Sequence, residues 1–224
     1  KALQKYSSNH RHFFCQATPG AGKTVLAATV ASRLMQEGKI DLVLCFSPSL
    51  TVSSGIKKTF SQILNCTFNG GLGSIGRSLT YQSIQFLNEE FWLTLRNHRV
   101  FVVFDEIHHC SGSEIENANV WGQQVLTKVQ ELATYTLAMS GTPWRSDSLP
   151  IVMAEYNSPD GQLLVDYQYT LKQAIADNVC RNPKIVLVDN EHLSVTSDEK
   201  VESFSSILEM IKQTKTSYQT VINN

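Results

Sequence analysis

The stretch Ala17-Thr18-Pro19-Gly20-Ala21-Gly22-Lys23-Thr24 constrains this chain more than any other. It follows a short apolar run, His12 to Gln16 (HFFCQ), and it opens a segment with apolar residues at Val25, Leu26, Val30, Leu34 and Met35. The period of that segment is helical, and Gly38 stands where a helix usually closes. A strand, a glycine-bearing turn and a helix in succession commit the chain to crossover connections. Such connections need a sheet covered by helices.

The same rhythm continues downstream. Leu42 to Phe46 (LVLCF) is apolar without alternation, as a strand buried on both faces should be. Ser47 and Pro48 end it, and a helix is expected over 51–64. Residues 65–77, rich in Gly, Asn and Ser, read as loop. Leu79 to Tyr81 reads as a short strand leading into a helix over 82–95. Val100 to Phe104 (VFVVF) is the most apolar strand and ends at Asp105-Glu106. A helical period covers 120–132, and Tyr135 to Ser140 returns as a strand that stops at Gly141-Thr142-Pro143. The expected fold class is α/β, with a central, mostly parallel sheet and helices on both faces. From 146 to 183 the pattern is less regular, punctuated by Pro150, Pro159 and Gly161. Lys184 to Asp189 (KIVLVD) reads as one further strand, and the tail from Asp198 as a polar helix.

Composition sets outer bounds. A chain of 224 residues buries roughly two-thirds or more of its unfolded surface. Its 42% hydrophobic and 17% charged residues lie in the globular range and exclude disorder. A net charge of -1 excludes a broadly cationic coat, so any contact with nucleic acid must come from a local face or from backbone amides. The five cysteines (Cys15, Cys45, Cys66, Cys110, Cys180) are scattered and form no C-x-x-C pair. They point to buried thiols in a reducing compartment. No apolar run approaches the ~20 residues that span a bilayer, and no signal-peptide pattern opens the chain. A cytoplasmic protein with no membrane partner is expected.

Two segments carry chemistry. Ala17 to Thr24 matches the relaxed form of the phosphate-binding P-loop, since the strict spacing would place a glycine at Ala17. Gly20 and Gly22 let the turn wrap close to a phosphate without Cβ clashes. Backbone N–H groups and the positive end of the helix beginning at Lys23 then face the phosphates. Lys23 reaches the β- and γ-phosphates, and the Thr24 hydroxyl ligates Mg²⁺. A chance glycine turn capping a helix is the alternative, and the strand before and helix after argue against it. Asp105 and Glu106 stand at a strand's C-terminal end, where open α/β sheets place ligands. Asp105 can hold Mg²⁺ through water, and Glu106 can act as the general base that orients an attacking water. Alone, such a pair is as often a solvated turn. His108-His109-Cys110 does not make a zinc site, because adjacent side chains point apart and about four ligands must converge.

With both motifs placed, the sequence resembles the first RecA-like P-loop NTPase domain of superfamily 2 helicases. Ala17 to Thr24 resembles motif I, and Asp105-Glu106-Ile107-His108 resembles the DExH box. Phe46-Ser47-Pro48-Ser49 resembles motif Ia, and Thr80-Tyr81-Gln82-Ser83 the T-x-Q-S segment. Ser140-Gly141-Thr142-Pro143 resembles motif III, here followed by Trp144-Arg145. The string SGTPWRSDSLP, with DYQYTLKQAIADN downstream, is most similar to the branch containing type III restriction-like and phage or plasmid helicases.

The resemblance implies roles by position. Thr18, Pro19, Gly20, Ala21, Gly22, Lys23 and Thr24 would bind nucleotide, and Gln4 would read the adenine. His108, with Ser140 and Thr142, would couple hydrolysis to domain movement. Pro48, Ser49, Thr80 and Gln82 would lie along a nucleic-acid path, each of them equally able to serve as a helix cap or loop residue. Trp144 and Arg145 would face a partner domain or the strand. Residues 1–190 would form the first RecA-like domain, and 191–224 a helical linker toward a second one that supplies arginines to the ATP site.

The expected function is an ATP-dependent DNA helicase or translocase using ATP and Mg²⁺, weakly active as this chain alone. The alternatives are the motor of a type III or type I-like restriction enzyme and an RNA helicase or remodeller. A small-molecule P-loop kinase fits poorly, because motif III and the T-x-Q-S segment stand where an acceptor lid would be needed.

Overall fold

The computed structural model describes residues 1–111, 118–145, 149–181, 193–197 and 200–204. Residues 1–181 pack as one unit. Its strands are β1 (His12–Ala17), β2 (Leu42–Ser47), β3 (Gly76–Thr80), β4 (Val100–Asp105), β5 (Ala133–Ser140), the short antiparallel pair β6 (Glu155–Tyr156) and β7 (Leu163–Leu164), and β8 (Tyr167–Tyr169). Six of them form one sheet in the order β3-β2-β4-β5-β1-β8, and every neighbouring pair runs parallel. This is the α/β arrangement of parallel strands covered by helices on both faces that the strand–helix alternation calls for.

Alternation along the strands explains why both faces are covered. Phe13, Cys15, Val43, Cys45, Phe101, Val103, Leu137 and Met139 point to one side. There they meet α1 (Ala2–Ser7), α2 (Lys23–Gln36) and α3 (Leu50–Leu64) through Tyr6, Ala27, Ala31, Leu34, Ile56 and Phe60. The intervening Phe14, Leu44, Phe46, Val102, Phe104 and Ala138 point to the other side. They pack on Tyr81 and Ile84, on Trp92 and Leu95 of α4 (Glu89–Arg96), and on Val125 and Val129. Each fully buried phenylalanine in these layers contributes about 2–3 kcal/mol of apolar transfer energy. Cys15, Cys45 and Cys110 are buried with them, while Cys66 and Cys180 are partly exposed. Burial pushes the Cys15 thiol up to about 11, which leaves it inert at neutral pH.

Several elements differ from the sequence-based expectation. Gly76 and Arg77 belong to β3, not to the preceding loop. The helix expected over 82–95 is broken into a 3₁₀ segment, Tyr81–Phe86, and α4. Asn88 restarts it, because its side chain accepts the Phe91 N–H at 3.0 Å and caps the new helix. The helix expected over 120–132 is α5 (Val120–Gln124) continued by a wider, π-type turn over Val125–Val129. The irregular stretch after 149 supplies β8 and α6 (Leu171–Ala176), where Thr170 and Gln173 form a reciprocal capping box. Asp166, just before β8, accepts the Phe14 N–H at 2.7 Å and pairs with Lys5 at 2.5 Å, tying this addition to β1 and α1.

Residues 182–224 form a second unit. Its described part is an antiparallel pair, β9 (Leu193–Ser197) and β10 (Lys200–Phe204). The polar helix expected from Asp198 is therefore corrected over Lys200–Phe204, where β-branched Val195, Thr196 and Val201 favour the extended state. The strand expected at 184–189 lies outside the described residues. Among the described residues, no helix is long and apolar enough to cross a membrane.

Candidate active site

The glycine turn takes the shape its sequence demands. Gly20 and Gly22 have φ of 82° and 77°, values that side-chain-bearing residues rarely adopt. Gly22 caps α2 without a side-chain hydrogen bond, so amides of the first helical turn remain available to an anion. The turn is anchored by Thr18 N–H donating to Tyr169 O at 3.2 Å and Ala21 N–H donating to Thr18 O at 3.2 Å. Lys23 curls back over it, donating to Ala17 O at 3.2 Å.

Strand order does the rest of the assembly. β5 lies between β4 and β1, with Met139 beside Asp105 and Ser140 beside Gln16. The loops after these three strands therefore emerge side by side at one sheet edge. Lys23 Nζ lies 3.1 Å from Glu106 Oε1, and Gly141 N–H donates to Glu106 Oε2 at 3.2 Å. His108 Nδ1 is 2.8 Å from Ser140 Oγ and 3.4 Å from Glu106 Oε2. Ser140 Oγ also accepts the Thr142 N–H at 3.1 Å, and the Arg145 guanidinium donates to His108 O. Glu106 adopts a left-handed φ of 50°, a conformation that costs a residue with a Cβ about 1–2 kcal/mol. Its surroundings must hold it there.

Electrostatics differ between the two carboxylates' neighbours. Asp105 is 6% exposed, and burial, followed by the Glu106 charge, pushes its carboxyl up to about 6. Burial, followed by the His109 charge, lowers the His108 pKa below its ordinary value, so the ring is neutral at pH 7. Tyr81 OH donates to Asp105 O at 2.9 Å from a fully buried position. Its ring is stacked against Phe46 and Trp121, which fixes the end of β4 from below.

A cleft of about 440 Å³ opens between the glycine turn and β4, lined by Pro19, Gly20, Gly22, Lys23, Thr24, Asp105 and Glu106. A hydroxyl and a buried carboxylate on one cleft, Thr24 and Asp105, form an oxygen-only donor pair of the kind a hard divalent cation takes. The Asp105 charge is destabilised by burial, which a cation beside it would relieve. These residues fit Mg²⁺.

Not every expected residue reaches the cleft. Gln4 is exposed on α1 and does not line it, and neither do Thr18 and Ala21. Pro48 is half-buried, while Ser49 and Gln82 are exposed. The Ser49 side chain caps α3 by accepting the Val52 N–H at 3.3 Å. Thr80 is 5% exposed, with its hydroxyl 2.7 Å from Ser83 Oγ. Thr142 is exposed and contributes its backbone N–H. Sequence reasoning passed over Gly141, although it stands between two residues singled out for coupling. It also passed over the Tyr81 hydroxyl, hidden in the variable position of the T-x-Q-S segment.

Comparison with known proteins agrees with this picture. Residues 1–145 match the family described as type III restriction enzyme, res subunit. An uncharacterized protein of Mycobacterium leprae is 30% identical over 200 residues, 84% of this chain and 32% of its own length. One of Mycobacterium tuberculosis is 29% identical over 194 residues, 81% of this chain and 31% of its own length. The chain thus spans about a third of these relatives.

Two solved structures resemble it more distantly. One is a nuclease-deletion mutant of the Type ISP restriction-modification enzyme LlaGI with a DNA substrate mimic (TM-score 0.48, 13% identity, 80% of this chain and 20% of that one). The other is the Sulfolobus solfataricus SWI2/SNF2 ATPase core with dsDNA (TM-score 0.46, 18% identity, 65% of this chain and 31% of that one). The family match covers most of the unit that holds the sheet and its cleft, and so the chain belongs to the type III restriction enzyme res subunit family, as a helicase-like ATPase motor domain.

Proposed function

We propose that this domain binds ATP in the cleft between the glycine turn and β4 and hydrolyses it to drive movement along DNA. The carrying observation is the 3.1 Å approach of Lys23 Nζ to Glu106 Oε1, which joins the two chemical motifs across a long stretch of sequence. Lys23 and the first-turn amides of α2 neutralise the phosphate charge that grows in the transition state. Glu106 aligns a water and accepts its proton, while the new O–P bond forms and ADP departs. Thr24 and Asp105 would hold Mg²⁺, which when bound neutralises phosphate oxygens. His108 and Ser140 link this centre to the motif III turn and would pass its state to a second RecA-like domain. That domain would supply an arginine worth about 10³–10⁵ in rate. Pro48, Ser49 and Gln82, exposed or half-buried, are available to contact a phosphate backbone.

The family match favours one second reading, a motor within a restriction assembly that cuts DNA through a separate nuclease. Phosphate release measured with double-stranded DNA, single-stranded DNA and RNA tests the proposal. Stimulation by DNA is expected. Stimulation by RNA alone would replace the DNA motor with an RNA remodeller, and no ATP turnover under any condition would sink the motor reading.

A further inference from the structure

Gly20 and Gly22 are glycines because of their backbone angles, but Gly141 is one for a different reason. Its φ lies outside the left-handed region, so conformational freedom does not explain it. Space does. A Cβ at this position would sit 3.2 Å from Pro19 Cδ, 3.3 Å from Ala17 O and 3.5 Å from Lys23 Nζ. The first two distances are tighter than carbon contacts normally allow, so the missing side chain lets the turn after β5 close directly onto the phosphate loop.

That closure brings the Gly141 N–H to 3.2 Å from Glu106 Oε2. Glu106 sits in a left-handed conformation, and its carboxylate is held from outside. Lys23 takes Oε1 at 3.1 Å and Gly141 takes Oε2. His108 Nδ1 is farther from Oε2, at 3.4 Å, and closer to Ser140. Lys23 is the cation that substrate phosphates must claim, and once it turns to them Oε1 is left free for water. The amide remains. It follows directly on Ser140, the last residue of β5, a strand paired on both sides, to β4 and to β1. A donor that directly follows the paired end of a central strand needs little reorganisation during the reaction.

We propose that Gly141 is a positioning residue for the catalytic base, aiming Glu106 through its backbone N–H in a turn that the absence of a side chain lets approach closely. The role rests on the hydrolysis proposed above. Gly141→Ala keeps the amide but pushes the turn away by a few tenths of an ångström. Turnover at saturating ATP should fall about tenfold, with affinity for a fluorescent ADP within about threefold of wild type, because small misplacements cost rate more than binding.

The deciding measurement is a double-mutant cycle with Glu106→Gln. If Gly141 acts through the base, Gly141→Ala should add less than about twofold to the loss in Glu106→Gln. Additive losses, or a loss confined to nucleotide affinity, would overturn the role. Pro19→Ala, which makes room for the new methyl group, should recover part of the turnover of Gly141→Ala. A Gly141→Ala protein that fails to fold and is not repaired by Pro19→Ala would make the glycine merely structural. Turnover in wild type with an additive cycle rejects this role alone, whereas no wild-type turnover removes the proposed reaction and this role together.

Discussion

The C-terminal ends of β1, β4 and β5 and those of β2 and β3 belong to the same edge of one sheet, yet their polar groups behave differently. At the first group, side chains and amides reach from loop to loop, as in Lys23 to Glu106, Gly141 to Glu106 and Ser140 to His108. At the second, they turn inward to local partners. Ser49 caps its own helix, Thr80 meets Ser83, and Ser47 donates to Ser49 O at 3.3 Å. The difference teaches that motif resemblance alone does not distinguish chemistry from scaffolding. A polar residue already satisfied by its neighbours finishes a fold, whereas one satisfied only across loops, in a strained or desolvated setting, is poised for a ligand.

The sharpest way to break this contrast is to separate binding from turnover at the cross-loop centre. Lys23→Ala should abolish nucleotide binding and lower phosphate release about 10³-fold. Glu106→Gln should lower release about 10²–10⁴-fold while nucleotide affinity persists. Equal losses of binding in both variants would mean that the two residues do not divide the work.

A second contrast concerns Asp105, whose carboxyl is raised from 3.8 to about 6 in the folded chain. A raised carboxyl favours the folded state below pH 3.8, and that favour is lost as pH climbs through about 6. At neutral pH the nucleotide-free domain therefore carries a cost of up to about 3 kcal/mol. Asp105→Asn should make it more stable at pH 7 in urea unfolding and narrow that gain toward pH 4, while abolishing turnover. A stability difference that does not change between pH 4 and 7 would mean Asp105 is not strained by burial.

The scaffold side of the comparison should respond least. Ser49→Ala should cost about 1 kcal/mol of stability through loss of the helix cap, with ATP turnover in the absence of DNA within about twofold of wild type. Loss of DNA stimulation in that variant would move Ser49 from scaffold to nucleic-acid contact.

Much of the architecture was legible because it is written in short-range terms. The apolar runs of β1, β2, β4 and β5 and the period of α2 and α3 announce themselves locally, and the left-handed turn at Gly20 and Gly22 needs only its own glycines. The broken helix at Asn88, the wide turn after α5 and the late edge strand β8 were not legible, since each is settled by what packs against it. Thr80 and Ser49 look alike as motif residues, and only burial separates them.

The sequence by itself determined that a phosphate cradle follows one buried strand and that two carboxylates end another, because turn chemistry and hydrophobic runs act within a few residues. Only the tertiary structure decided that β5 lies between those strands, that Gly141 packs tightly against the cradle, and that Asp105 resists ionisation. Strand order, close approach and desolvation are properties of distant segments brought together, and no local pattern encodes them.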